Sequence, residues 1–245
     1  MLARVIRKLR PSPLPPPRNL KQFRSDHYTR HNARRLEHLA SLRIPVAHRT
    51  VLEVGAGIGD HSHYYLDRGC SVVITEARAE NLDYLRKRFP DGDVRHLDLE
   101  APTELPDGPF DIVHCYGLLY HLGDPQGCLR FLARNTGSML LLETCVSFGD
   151  DERINLVVED DCPTQAASLA GCRPTRAWVF SRLKELFPYA YATTTQPNHE
   201  EFPLDWKAPD LSPTLLHRAV FVGSREPIEN EFLSESLSDL QIRHA

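Results

Sequence analysis

The stretch Val51-Leu52-Glu53-Val54-Gly55-Ala56-Gly57-Ile58-Gly59-Asp60 constrains this chain more than any other. An apolar run with β-branched residues ends in three glycines at alternate positions, and a helix-compatible segment, His61 to Asp67, follows. That pattern reads as a buried strand, a tight turn and a helix start. Glycines at such a turn take dihedrals a Cβ would forbid and let the backbone approach a ligand. The helix start behind them adds unpaired N–H groups. A dinucleotide fold asks for G-x-G-x-x-G. Here the third glycine comes one place early, and Asp60 stands where the last glycine would be. With Glu53 at the start of the motif, a pyrophosphate would meet two carboxylates and no compensating Lys or Arg. A positively charged ligand suits the stretch better.

Glu53-x-Gly55-x-Gly57-x-Gly59 after a strand resembles motif I of the class I S-adenosylmethionine (SAM)-dependent methyltransferases, whose donor carries an ammonium and a sulfonium. The resemblance covers roughly Thr50 to Cys145, and the C-terminal end more loosely. It implies a three-layer α/β/α Rossmann-like fold: a seven-stranded mixed sheet of order 3-2-1-4-5-7-6 whose last strand is antiparallel, with helices on both faces. It further implies SAM as cofactor and S-adenosylhomocysteine (SAH) as product, with Glu53, Gly55, Gly57 and Gly59 at the cofactor. Glu76, closing a strand from Ser71 to Thr75, stands where the family places the acid that binds the SAM ribose. Asp98 and Leu99, after a short strand from Asp93 to Leu97, match the residues the family sets at the adenine. Phe110 to Tyr116 is a fourth strand, and Cys115 to His121 should face the transferable methyl, with Cys115 at the cofactor.

Leu-Tyr-His-Leu-x-Asp-Pro, from Leu119 to Pro125, resembles the segment after strand four in many small-molecule and some transfer-RNA methyltransferases. It lacks the N/D-P-P-Y/F signature of amino-directed nucleic-acid enzymes. His121 is the candidate general base, because an imidazole titrates near neutrality and a hydroxyl nucleophile must lose a proton as it attacks. A histidine that only holds the loop by hydrogen bonds is the alternative. Tyr120, Arg173, Arg176, Trp178 and His199 are candidates for the acceptor side, with cations and aromatics suited to stacking or to anionic groups; anchoring of the helix from Ala177 to Phe187 would explain Arg173, Arg176 and Trp178 equally well. No metal site is expected. His61-x-His63 does not share a helix face, and the acids Asp150-Asp151-Glu152 and Glu159-Asp160-Asp161 are loosely spaced and read as a solvated loop.

The 245 residues suffice for one α/β domain with trimmings, and 41% hydrophobic and 25% charged residues are ordinary for a soluble globular protein. Six cysteines without C-x-x-C or framework spacing suggest reduced thiols and a cytoplasmic setting. No apolar run is long enough for a membrane span. We read a basic, Pro-rich leader over 1–24, a domain over 25–225 with substrate loops near 147–176 and 197–215, and an acidic tail over 226–245 that could pack a helix or stay mobile. The leader could be a solvated linker, an RNA-binding arm or a targeting peptide. Asn32 to Leu42 reads as an amphipathic helix with Leu36, Leu39 and Ala40 inward. Its arginines mark a solvated face, although Tyr28, Arg30 or Arg34 could touch cofactor or acceptor. The expected function is O-methylation of a small sugar-containing or natural-product acceptor. An RNA (tRNA-type) methyltransferase, a nicotinamide-dependent oxidoreductase and a non-catalytic SAM-binding module are the alternatives. Oligomeric state is not readable.

Overall fold

The computed structural model describes residues 20–159, 170–208 and 215–244. Residues 1–19 of the basic leader, residues 160–169 and 209–214 of the expected substrate loops, and Ala245 lie outside the described residues. Two helices, α1 (Leu20–Phe23) and α2 (Asp26–Ser41), precede a spine of five parallel strands: β1 (Thr50–Glu53), β2 (Ser71–Glu76), β3 (Asp93–His96), β4 (Phe110–Tyr116) and β5 (Thr136–Cys145). Between them run α3 (Ser62–Leu66), α4 (Ala79–Arg88) and α5 (Pro125–Arg134). Beyond β5 come the antiparallel pair β6 (Leu156–Val158) and β7 (Ala170–Cys172), α6 (Arg176–Leu186), β8 (Tyr189–Thr193), β9 (Thr195–Gln196) and β10 (Arg218–Ser224). The tail adds β11 (Leu233–Ser234) and β12 (Ile242–Arg243).

In space the main sheet runs β11-β8-β10-β5-β4-β1-β2-β3. Without β11 this is the order the family resemblance implies, with β10 antiparallel to both β5 and β8. The sheet has eight strands rather than seven because the tail does not form a helix. Leu233 and Ser234 pair with the exposed edge of β8, and Ile242–Arg243 pairs with β9. An unpaired edge strand leaves backbone groups without partners, and the tail supplies them.

Strand alternation sorts the core into two faces. Leu52, Val113, Leu140, Leu142 and Phe221 pack with Leu129, Leu132, Val179 and Leu183 of α5 and α6. Val51, Ile112, Leu141, Val220 and Val222 pack with Leu39, Tyr65 and Leu85 of α2, α3 and α4. The period-two split is what a strand buried on both sides requires.

Helix α2 departs from its sequence pattern. It begins at Asp26, where the Ser25 hydroxyl accepts the Tyr28 N–H at 3.3 Å. Its buried face is His31, Asn32, Arg35, His38 and Leu39, while Ala40 is exposed and Leu36 only half-buried. The apolar face inferred from Leu36 and Ala40 is therefore corrected: α2 turns a polar face inward, and that face has partners.

Candidate active site

At the carboxyl end of β1 the chain turns through Gly55, Gly57 and Gly59 at φ of 67°, 59° and 80°. All three lie in the left-handed region that disfavours a Cβ. A Cβ on Gly59 would also stand 2.5 Å from the Phe89 ring, and one on Gly55 2.9 Å from Leu118. Across this turn, Glu76 at the end of β2 accepts the Gly57 N–H at 2.8 Å. It also accepts the N–H groups of Ala77 at 2.8 Å and Arg78 at 2.9 Å. Burial pushes its carboxyl up, and the amide N–H groups pull it back toward the charged form. A carboxylate so fixed, beside a glycine cradle, fits a ligand that presents vicinal hydroxyls.

Asp98 is half-buried and accepts the Glu100 N–H at 3.0 Å, with Leu99 buried beside it. Cys115 is fully buried within the α5–α6-side core, and burial pushes its thiol up to about 12.

The two acids of the motif do not present two free charges to a ligand. Glu53 is 2% exposed, accepts the Ser62 hydroxyl at 2.6 Å, and burial raises its pKa to about 7. Asp60 pairs with Arg88 of α4 at 2.7 Å. The expectation of no compensating cation is thus corrected, since Arg88 lies outside the motif and the fold brings it back. A cavity of about 380 Å³ adjoins the turn, lined by Phe23, Asn32, Ile58, Asp60, Tyr84 and Arg88. Phe23 of α1 lies over Gly57, 3.2 Å from where its Cβ would be.

Beside the glycine turn, around the ends of β4, β5 and β10, lies a buried polar network. Glu143 is fully buried and accepts Arg35 Nη2 at 2.5 Å and Arg218 Nη1 at 3.1 Å. Arg218 also donates to Glu201 at 2.5 Å and to the Tyr120 hydroxyl at 3.2 Å. The Tyr120 ring is flanked by the guanidinium groups of Arg173, at 5.1 Å, and Arg218, at 4.9 Å. His121, in the 3₁₀ turn after β4, donates Nδ1–H to Glu159 at 2.6 Å, and Glu159 also pairs with Arg173 at 3.0 Å. Burial lowers the His121 pKa more than Glu159 raises it, so the imidazole stays neutral at neutral pH.

Tyr120, His121 and Arg173 are thus brought together. Arg176 and Trp178 are carried elsewhere by α6: Arg176 lies 4.0 Å over the Trp206 ring and bonds the Ser238 carbonyl, while Trp178 is core. His199 is buried against His31. Sequence reasoning missed Arg35, Arg218 and Glu159. Arg218 had a visible signal, a lone charge opening the apolar run Ala219–Val222. Glu159 had none, sitting in what reads as an acidic loop.

Residues 52–137 match the methyltransferase-domain family. The N-terminal domain of EvdMO1, solved in the presence of SAH and D-fucose, superposes at a TM-score of 0.62 and 23% identity, covering 82% of this chain and 84% of that one. An S-adenosylmethionine-dependent methyltransferase from Mesorhizobium loti superposes at 0.56 and 17% identity, over 80% of this chain and 100% of that one. This is a class I methyltransferase fold. Among curated relatives, the tRNA U34 carboxymethyltransferase of Actinobacillus succinogenes is 34% identical over 126 residues, 49% of this chain and 38% of that protein. The same enzyme of Mannheimia succiniciproducens is 32% identical over 131 residues, 51% and 40% of the respective chains. The matched segment thus spans only about two fifths of the length of those relatives. Among the described residues, no helix is long and apolar enough to cross a membrane.

Proposed function

We propose that this chain methylates an oxygen of a small sugar-containing or natural-product acceptor, using SAM and leaving SAH. The donor half of the reading rests on one observation: Glu76, at the end of β2, holds the Gly57 amide of a three-glycine left-handed turn. When bound there, SAM supplies an electrophilic methyl on a sulfonium. Glu76 would take the ribose hydroxyls, Asp98 and Leu99 the adenine, and the glycine turn the remainder.

The acceptor half rests on His121. Its neutral ring can take the hydroxyl proton as the oxygen forms its bond to the methyl carbon and the carbon–sulfur bond breaks. Glu159 acts as a positioning residue, fixing the tautomer that leaves Nε2 as the accepting nitrogen. Tyr120 and Arg218 would help hold the acceptor, and alignment of oxygen and methyl supplies much of the rate. The EvdMO1 domain, solved with D-fucose as well as SAH, supports a sugar-type acceptor. The curated relatives support a second reading, transfer to tRNA, for which the basic residues of 1–24 could serve as an RNA contact.

Methyl-labelled SAM offered with hydroxylated sugars, glycosides and bulk tRNA decides between them. Label should enter a small acceptor and fall roughly 100-fold with His121→Ala, the scale of a lost general base. Label confined to tRNA would overturn the acceptor assigned here.

A further inference from the structure

Helix α2 carries His27 and His31 four residues apart, hence on one face. The connector after β9 brings His199, Glu200 and Glu201 against that face. His27 Nε2 lies 3.3 Å from Glu201 Oε1, and His31 Nε2 lies 3.6 Å from Glu201 Oε2. The His31 and His199 rings have centroids 4.8 Å apart, and those of His27 and His199 are 5.3 Å apart. His31, His199 and Glu201 are 3%, 2% and 7% exposed. Their ligand-capable atoms all lie within 4.8 Å of one another, and His27, His199 and Glu200 form a second such triad at the rim.

Two buried nitrogens of these histidines have no hydrogen bond: His31 Nε2, which lies by Glu201, and His199 Nε2. Buried polar nitrogens are normally paired, and an orphan requires a reason. The His199 Nδ1 accepts the Glu201 N–H at a long 3.3 Å and lies 3.7 Å from Glu200 Oε2.

We propose that His31, His199 and Glu201, with His27 at the rim, form a binding site for a divalent transition-metal ion, best matched by Zn²⁺. Two or three imidazoles and one carboxylate are a borderline donor set that suits zinc and its neighbours, whereas Mg²⁺ and Ca²⁺ seek oxygens. Zinc–ligand bonds near 2.0–2.2 Å would set the donors roughly 3.3–3.5 Å apart, so the side chains close by about an ångström on binding.

The surrounding charges strengthen that choice. Arg35 and Arg218 are offset by Glu143 and Glu201, and Arg30 by Glu200. A further cation gains no net negative charge there and must be held by imidazole lone pairs. The site lies one residue contact from the acceptor-side network, because Glu201 also binds Arg218, which touches Tyr120. An ion would therefore clamp α2 to the connector beside the acceptor.

The test uses tag-free full-length chain stripped with a chelator and titrated calorimetrically with ZnCl₂, with no methyl donor present. One equivalent should bind, and the Co²⁺ form should show ligand-field bands in the visible. His31→Asn and His199→Ala should each weaken binding at least tenfold, since even losing an outer partner of a ligand costs roughly 10–100-fold. His27→Ala, at the exposed rim, should weaken it less, and exposed His63→Ala should leave it unchanged. If His31→Asn fails to fold by circular dichroism, His199→Ala and His27→Ala carry the comparison. Wild-type binding that is absent, matched by Mg²⁺, or unaffected in folded His199→Ala would overturn the proposal. SAH titrated into the same samples reports the donor site separately, so a failed metal site and a failed methyltransferase reading give different results.

Discussion

A carboxylate behind an imidazole fixes which ring nitrogen carries the proton and holds the ring against rotation. Glu159 does both for His121 at 2.6 Å, and its charge also raises the imidazole pKa against burial and against Arg218 and Arg173. Glu159→Gln removes that support, so the His121 pKa falls further. The acid limb of the kcat profile should move to lower pH, because the ring stays neutral to lower pH, while kcat drops at least about tenfold from lost orientation. A pH–rate profile checks both, and an unmoved limb would leave His121 a structural residue.

Gly59 makes a stability prediction at the same scale. Its positive φ and the 2.5 Å approach of Phe89 mean that Gly59→Ala adds strain and overpacking together, about 2–4 kcal/mol. Calorimetry should show the melting midpoint fall by roughly 5–10 °C; an unchanged midpoint would contradict the packing described. The glycines were legible as residues because they lie within one local strand-turn-helix pattern, and Glu76 because the family resemblance sets an acid at the end of the second strand. Glu159 and Arg88 were not, since each reaches its partner across the fold.

Helix α2 shows where pattern reading fails at the level of elements. Hydrophobic periodicity assumes that the inward face is apolar, and here it is His31, Asn32, Arg35 and His38. Arg35 was read with the solvated arginines, yet it is 3% exposed and bound to Glu143. Glu143→Gln leaves Arg35 and Arg218 buried without their shared carboxylate. It should destabilise by about 3 kcal/mol, as removal of one partner of a buried ion pair does, measured by urea unfolding. Arg34→Ala, which loses only the exposed pair with Glu37, should change stability by less than about 0.5 kcal/mol. Equal effects would mean that the buried network contributes no more than a surface pair. The tail was misread for a related reason: residues 233–234 are too short to show a strand period, and only the open edge of β8 makes them a strand.

For the whole molecule, the order of the seven central strands followed from the family resemblance, and the eighth strand, the β6–β7 hairpin and the His-rich cluster did not. Their residues converge from distant segments, and no local spacing reports that. The donor-site reading stands on the glycine turn and Glu76 forming a SAM site. Titrating SAM and SAH into wild type and Glu76→Ala by calorimetry tests it most directly. Wild type should bind both, and Glu76→Ala should bind more weakly by about 1.5–3 kcal/mol, the range for hydrogen bonds to a charged group. Wild type that is folded yet binds neither ligand, or a Glu76→Ala variant that binds as tightly, would contradict it.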